Sequence, residues 1–331
     1  MYRTILIISM LCYILIGNSV IDTRIVSSSH QSPSILKHFE AELDTRIGYW
    51  SPSTSSIDWC ERNYMITPYI AEFWNCMSSF SMCILGVLLF LRGLFYKIEA
   101  RFLWSSMGLC FVGLGSAYFH GTLTHIGQMA DELPMVYSMI IWWFILLRMD
   151  EITTKHSKIC GLDKYILFGV FYACLWTFIH SLQAFVIIFQ VHMSLMVVGG
   201  MIKLIRLYHK EHYHARGLKN ILIVYVSLVV LAFICWTIDQ QLCERLNALS
   251  SFNPQLHAWW HIIGAVHCHL GIVCGEAMRQ LSIKYYQERQ KMKDNHIIQF
   301  KPDNHLSIHF YFGLPYVDHS IVYITDSQKI K

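Results

Sequence analysis

Hydrophobic residues in this chain gather into seven long runs, at Ile70–Leu91, Phe102–Thr122, Leu133–Leu147, Tyr165–Ile179, Ala184–Leu204, Ile221–Ile238 and Ala258–Leu281. Several reach the roughly twenty residues that a helix needs to cross the hydrocarbon core of a bilayer; the third and fourth are shorter. Lipid offers the backbone no hydrogen bonds, so each run is expected to be a closed helix. The short alternating strands of a membrane barrel are absent. The pattern predicts an all-α, seven-transmembrane-helix bundle at 70–282, followed by a tail at 283–331. Ahead of it, residues 21–69 are polar, rich in Ser, Pro and charge, and read as an arm outside the membrane. Arg3, the apolar stretch Ile5–Ile16 and the small residues Gly17, Asn18 and Ser19 give residues 1–20 the layout of a signal sequence. An extra amphipathic or spanning helix is the alternative for that segment.

Composition supports lipid as the solvent. Of 331 residues, 54% are hydrophobic and only 15% charged, against about a quarter charged in soluble domains. The net charge of +4 is too mild to suggest a nucleic-acid partner, but its placement is informative. Arg92, Lys97 and Arg101 follow the first run. Arg148, Lys155, Lys158 and Lys164 follow the third, and Lys203, Arg206, Lys210, Arg216 and Lys219 follow the fifth. Arg279, Lys284, Arg289 and Lys291 end the seventh. The alternate connections are nearly free of positive charge: residues 121–132 and 180–183 have none, and 239–257 have only Arg245. By the positive-inside rule the odd spans end in the cytosol, the arm is lumenal or external, and the C-terminus is cytosolic.

Eighteen histidines exceed what packing requires, and their spacing directs attention to metal chemistry. His257-Ala258-Trp259-Trp260-His261 puts two imidazoles at i and i+4, on one face of a helix, where both can reach one zinc ion. The motif lacks the glutamate of HExxH, so a general base must come from elsewhere. Two satisfied core histidines are the alternative. The inferred topology puts His120, Asp131, His257 and His261 at one membrane depth, and ionisable groups inside membrane helices are usually functional. Three histidines around zinc leave a fourth position for water, and a carboxylate such as Asp131 can move its proton. Ser116 lies four residues before His120 and can face the same site; helix packing explains it equally, given Gly113 and Gly115 beside it. Asp131-Glu132-Leu133-Pro134 also fits a helix N-terminus, where acids suit the dipole and Pro suits the first turn.

A second cluster is Asp58, Glu61 and Asn63, with Glu72 further on. Its oxygens could suit a hard cation such as calcium, although spacing alone favours a plain acidic turn beside the membrane. Eleven cysteines form no CxxC pair, which argues against a zinc ribbon or a thioredoxin-like motif. Cys60 and Cys243 both fall on the lumenal side, where oxidation would allow pairing. His209, His212 and His214 read as a solvated cytosolic face, and His267 and His269 as packing residues or as donors that support the metal ligands.

Five stretches together carry a family likeness: Gly48-Tyr49-Trp50, Asp58-Trp59-Cys60-Glu61, Tyr69-Ile70-Ala71-Glu72-Phe73-Trp74-Asn75, Asp131-Glu132-Leu133-Pro134 and His257-Ala258-Trp259-Trp260-His261. From about Gly48 to Tyr316 the sequence resembles the alkaline ceramidases, seven-helix membrane hydrolases related to adiponectin receptors. The resemblance implies catalytic Zn2+ on His120, His257 and His261, with Ser116 and Asp131 as catalytic residues. It implies structural or regulatory Ca2+ on Asp58, the Trp59 carbonyl, Glu61, Asn63 and Glu72, and a Cys60–Cys243 disulfide. It further implies hydrolysis of membrane-embedded ceramide to sphingosine and fatty acid by a multi-pass protein of the endoplasmic reticulum or Golgi, with no obligatory protein partner. Residues 1–20 and 121–127 depart from the family pattern. A hydrolase of the same group acting on another lipid, and a receptor-like protein with a structural metal, are the alternatives.

Overall fold

A computed structural model of the chain describes residues 47–151, 158–159, 162–182, 185–210, 213, 217–249, 253–294, 308–311 and 314–317. The signal-like segment at 1–20 lies outside the described residues. The helices are α1 (Phe73–Phe95), α2 (Ala100–Thr122), α3 (His125–Leu147), α4 (Lys164–Leu182), α5 (Val186–Tyr208), α6 (Leu218–Gln241), the short α7 (Cys243–Leu249) and α8 (Leu256–Asp294). All but α7 are long and apolar enough to cross a membrane, and the chain is a multi-pass membrane protein. Two small antiparallel pairs accompany them, β1 (Lys158–Ile159) with β2 (Leu162–Asp163) and β3 (Ile308–Tyr311) with β4 (Leu314–Val317). The helix α8 runs well past residue 282, through Asp294.

The first two helices meet backbone to backbone. On α1 the buried stripe Asn75, Ser79, Met82, Cys83, Gly86, Leu89 and Gly93 follows helical spacing and is made largely of small residues. A Cβ added to Gly86 would fall 2.7 Å from the Cys110 nitrogen, and one added to Gly113 would fall 2.8 Å from the Ser79 oxygen. Small residues of this kind let membrane helices pack closely where no hydrophobic drive exists between them. The opposite face of α1 exposes Phe80, Ile84, Val87, Leu88 and Leu91, a continuous apolar surface suited to lipid rather than water.

The third helix differs from the sequence expectation. It begins at His125, two turns ahead of the apolar run at Leu133. Leu123 takes a left-handed conformation (φ 48°) and ends α2, and the Thr124 side chain caps α3 by accepting from the Gly127 amide at 3.0 Å. Asp131 and Glu132 therefore do not mark a helix N-terminus; they lie inside α3 with Pro134. Hydropathy missed the first two turns because His125, Gln128, Asp131 and Glu132 are polar yet turn towards the protein rather than lipid. Pro134 has no amide hydrogen for the Ala130 carbonyl. Gly115 of α2 packs on that carbonyl, where an added Cβ would sit only 1.8 Å from the oxygen.

The arm is stitched to this corner. The buried Leu123 carbonyl accepts from the Thr54 amide (3.1 Å), the Ser55 amide (3.0 Å) and the Ser53 hydroxyl (3.0 Å). At the other end of the bundle, charges pair: Arg92 with Glu276 at 2.8 Å, Arg279 with Glu99 at 2.7 Å, and Arg148 with Asp163. The helices α4 and α5 join the bundle through α3, by a cluster of Val136, Trp176, Phe189 and Met193.

The backbone contact between α1 and α2 gives a direct test. Gly113→Val should lower stability by about 1–3 kcal/mol, the usual cost of forcing extra carbon into a packed interface. Gly264 has open space around its Cα, so Gly264→Ala should leave stability equal or raised. Thermal unfolding of the purified variants in detergent checks both, and equal melting temperatures would contradict the packing account.

Candidate metal centre

Three histidines meet at the arm end of the bundle. His120 belongs to the last turn of α2, and His257 and His261 occupy the first turns of α8. Each offers a ring nitrogen, and the three nitrogens lie within 4.8 Å of one another. All three side chains are buried. Their outer contacts set their bearings. His120 Nδ1 meets the Glu72 carboxylate. His261 Nδ1 meets the Asn75 carbonyl at 3.1 Å and the Ser78 hydroxyl at 2.9 Å. The His257 ring stacks on Trp59 with centroids 3.6 Å apart. Contacts of this kind fix which nitrogen faces the centre and with what orientation.

His120 Nε2 and His257 Nδ1 are buried without any hydrogen-bond partner. An unsatisfied buried polar atom costs about 1–3 kcal/mol, and native structures rarely leave two together without a reason. Three convergent imidazoles are the donor set of an open zinc site, so the residues present fit a metal. Beside them, the Ser116 hydroxyl lies 3.5 Å from His261 Nε2 and accepts from Ser79 at 3.0 Å. The Asp131 carboxyl lies against the Ser116 hydroxyl. All five residues singled out for zinc chemistry thus occur in one place, joined through Ser116.

The acidic cluster surrounds the same corner. Glu61 accepts from the Trp74 amide (2.7 Å) and the Asn75 amide (2.9 Å), the free donors of the first turn of α1. It thereby caps α1 from the arm, while the cap residue Glu72 makes no side-chain cap bond of its own. Glu72, fully buried, accepts from the Trp59 amide at 3.0 Å and from the Asn75 side chain at 3.1 Å. Asp58 accepts from Asn63 at 3.0 Å. Burial above all, with Glu72 close by, pushes the Asp58 carboxyl up to about 7. Burial does the same to Glu61, which also rises to about 7. Cys60 and Cys243 are disulfide-linked, their Cα atoms 5.3 Å apart, joining the arm to α7.

Sequence reasoning passed over Asp239. Its carboxylate accepts from the Cys60 amide (3.2 Å) and the His257 amide (3.2 Å), tying the arm, α6 and the start of α8 together. A lone buried acid at the end of an otherwise apolar span was the available signal. Asn75, Ser78 and Ser79 gave none, since small polar residues on a helix read as packing.

The seven apolar helices and the buried histidine centre point to a polytopic membrane enzyme. Comparison with known proteins narrows this: the chain belongs to the ceramidase family, whose profile, described as Ceramidase, matches residues 51–302. It is 34% identical over 258 residues to alkaline ceramidase 3 of Mus musculus, covering 75% of this chain and 91% of that protein. It is 30% identical over 214 residues to an alkaline ceramidase of Arabidopsis thaliana (65% and 80% covered). With alkaline ceramidase YPC1 of Saccharomyces cerevisiae it shares 29% over 255 residues (71% and 80% covered).

The raised carboxyls predict a pH dependence. Asp58 and Glu61 lose their protons near their ordinary values of 3.8 and 4.5 when unfolded, but near 7 when folded. Between those limits the folded state holds more protons, so stability is greatest below about 4 and falls as pH rises towards 7. In chelator, the melting temperature should drop from pH 5 to pH 8, and Asp58→Asn should flatten that slope. A slope unchanged in the variant would contradict the assignment.

Proposed function

We propose that the chain is a zinc-dependent alkaline ceramidase: it adds water across the amide of ceramide and releases sphingosine and a free fatty acid. The observation that carries this reading is the pair of orphaned buried nitrogens on His120 and His257, facing His261 beside Ser116 and Asp131, in a member of the ceramidase family. Zinc held by the three imidazoles would supply Lewis acidity to the amide carbonyl and lower the pKa of attacking water. Asp131 takes the proton that this water gives up and delivers it to the departing nitrogen as the C–N bond breaks. The Ser116 hydroxyl, held by Ser79, donates towards the oxygen that gains negative charge. The substrate's two hydrocarbon chains enter the apolar bundle laterally from the bilayer.

The acidic cluster is read as a calcium site formed by Asp58, the Trp59 carbonyl, Glu61, Asn63 and Glu72. Its support is two buried carboxylates, Glu61 and Glu72, with Asp58 beside Glu72, and a buried Asn63 oxygen without a partner. The Cys60–Cys243 bond and the charge pattern support a lumenal arm and a cytosolic C-terminus, in the endoplasmic reticulum or Golgi. A hydrolase acting on a phospholipid or GPI anchor would share the site; the lipid products of purified protein separate it from a ceramidase.

Zinc ligation and proton transfer are tested together. His257→Ala and His261→Ala should lose bound zinc and hydrolysis of long-chain ceramide. Asp131→Asn should keep zinc but lose about 10²–10⁴-fold in turnover. Stoichiometric zinc in the histidine double variant, or an Asp131 variant within a few-fold of wild type, would reject the respective role; the latter would favour a structural metal.

Calcium is tested by titration. Glu61→Ala and Glu72→Ala should weaken calcium binding and reduce activity, with partial recovery at higher calcium, because the ion binds the ordered arm preferentially. Activity indifferent to chelator would leave the cluster as an acidic turn alone.

A further inference from the structure

The Glu132 carboxylate, next to Asp131, takes no part in the proposed chemistry, yet it is 8% exposed and bonded through one oxygen. The Gln128 oxygen accepts from both the amide and the hydroxyl of Ser56 on the arm, each at 2.9 Å. The Gln128 amide nitrogen donates to Glu132 Oε1 at 2.9 Å. Glu132 Oε2 lies 3.2 Å from Nε2 of His180, a residue of α4 that is 1% exposed. Hydrogen bonds thus run from the arm down one face of α3 as far as Glu132, whose second oxygen packs against His180 of α4 without a hydrogen bond to it. Together these contacts grip the turn that Pro134 weakens. With no amide hydrogen for the Ala130 carbonyl, that turn lacks one of its own hydrogen bonds, and the missing restraint falls beside Asp131. Gly115 presses on the turn from α2, and the Gln128–Glu132 bond, packed against His180, holds its other side.

We propose that Glu132 is a positioning residue: bonded to Gln128 and packed against His180, it fixes the rotation of the α3 turn that aims Asp131 at Ser116. The inference rests on the hydrolase reading above. Neighbours on a helix point about 100° apart, so a Glu132 locked towards α4 leaves Asp131 directed at α2. A misplaced catalytic group lowers turnover much more than substrate binding.

The experiment uses the full chain in lipid nanodiscs, with kinetics on ceramide, metal analysis and amide hydrogen exchange. Glu132→Leu should lower kcat about ten-fold or more, with KM within about three-fold and zinc retained. Glu132→Gln keeps an oxygen for Gln128 and a polar group for His180, and should stay within about three-fold of wild type. Gln128→Leu should reproduce the defect, and the double variant should be no worse than either single one, as expected of residues acting as one unit. Hydrogen exchange should rise across residues 129–135 and stay unchanged in α2 and α8. Wild-type kcat in Glu132→Leu, multiplying defects in the double variant, or loss that tracks zinc would overturn the proposal. If wild type itself does not cleave ceramide, the substrate assignment fails while the exchange measurement still decides the clamp.

Discussion

The structure depends on one buried carboxylate. Glu72 is fully enclosed, and its two oxygens divide their work: one accepts from the Trp59 amide on the arm, and the other meets Asn75 on α1 and His120 on α2. A carboxylate cannot remain charged in a membrane bundle without such partners. Each of them is consequently fixed by the same group. Glu72 turns His120 so that Nε2 faces the other histidines, and it draws Trp59 to the position from which its indole stacks on His257. The acidic corner and the histidine corner are therefore neighbours sharing one side chain, and a change in charge on either reaches the other through it.

Two helix starts converge on this corner, and neither supplies its own cap. The first amides of α1 are satisfied by Glu61, and the His257 amide near the start of α8 by Asp239. Helix N-termini carry partial positive charge and favour anions, so both carboxylates gain from their placement. The caps also give the arm its hold on the bundle. Removing the arm would strip α1 of its cap and Asp239 of its Cys60 donor, leaving buried polar groups that lipid cannot satisfy. The arm acts as a structural lid on the bundle despite its polar sequence.

The spans were legible in the sequence because each is a long apolar run. The pair His257 and His261 was legible because helical spacing alone puts both on one face. Other features rest on contacts distant in sequence. The acidic cluster draws on amides thirteen positions away, such as Trp59 to Glu72, and on Asp239 across 179 positions from Cys60. Spacing cannot reveal that, and read alone it favoured a plain turn. The start of α3 was hidden for another reason. Hydropathy measures affinity for lipid, but His125, Gln128, Asp131 and Glu132 belong to a helix whose first turns pack under the arm. Thr124 was the legible cap residue, outweighed by the polar run after it.

The concentration of chemistry at one end of the bundle follows from what a membrane permits. Irregular backbone and polar side chains are tolerated at helix ends, where loops, caps and neighbouring segments can satisfy them; within the hydrocarbon depth they are not. Here the α2–α3 turn, the arm and the α6–α8 connection all meet at the arm end. Leu123 in a left-handed conformation offers its carbonyl to three arm donors, and Asp239 ties the arm to α8. The opposite end uses charge differently, pairing Arg92 with Glu276 and Arg279 with Glu99. Those pairs tie the helix ends to one another. At the arm end, His120 Nε2 and His257 Nδ1 stay open, although a hydroxyl nearby would have satisfied them at little cost. What sets these two apart from other unbonded buried nitrogens is their convergence with His261, so the two ends divide the labour: one holds the bundle shut, and the other keeps a buried, pre-oriented donor set available for chemistry.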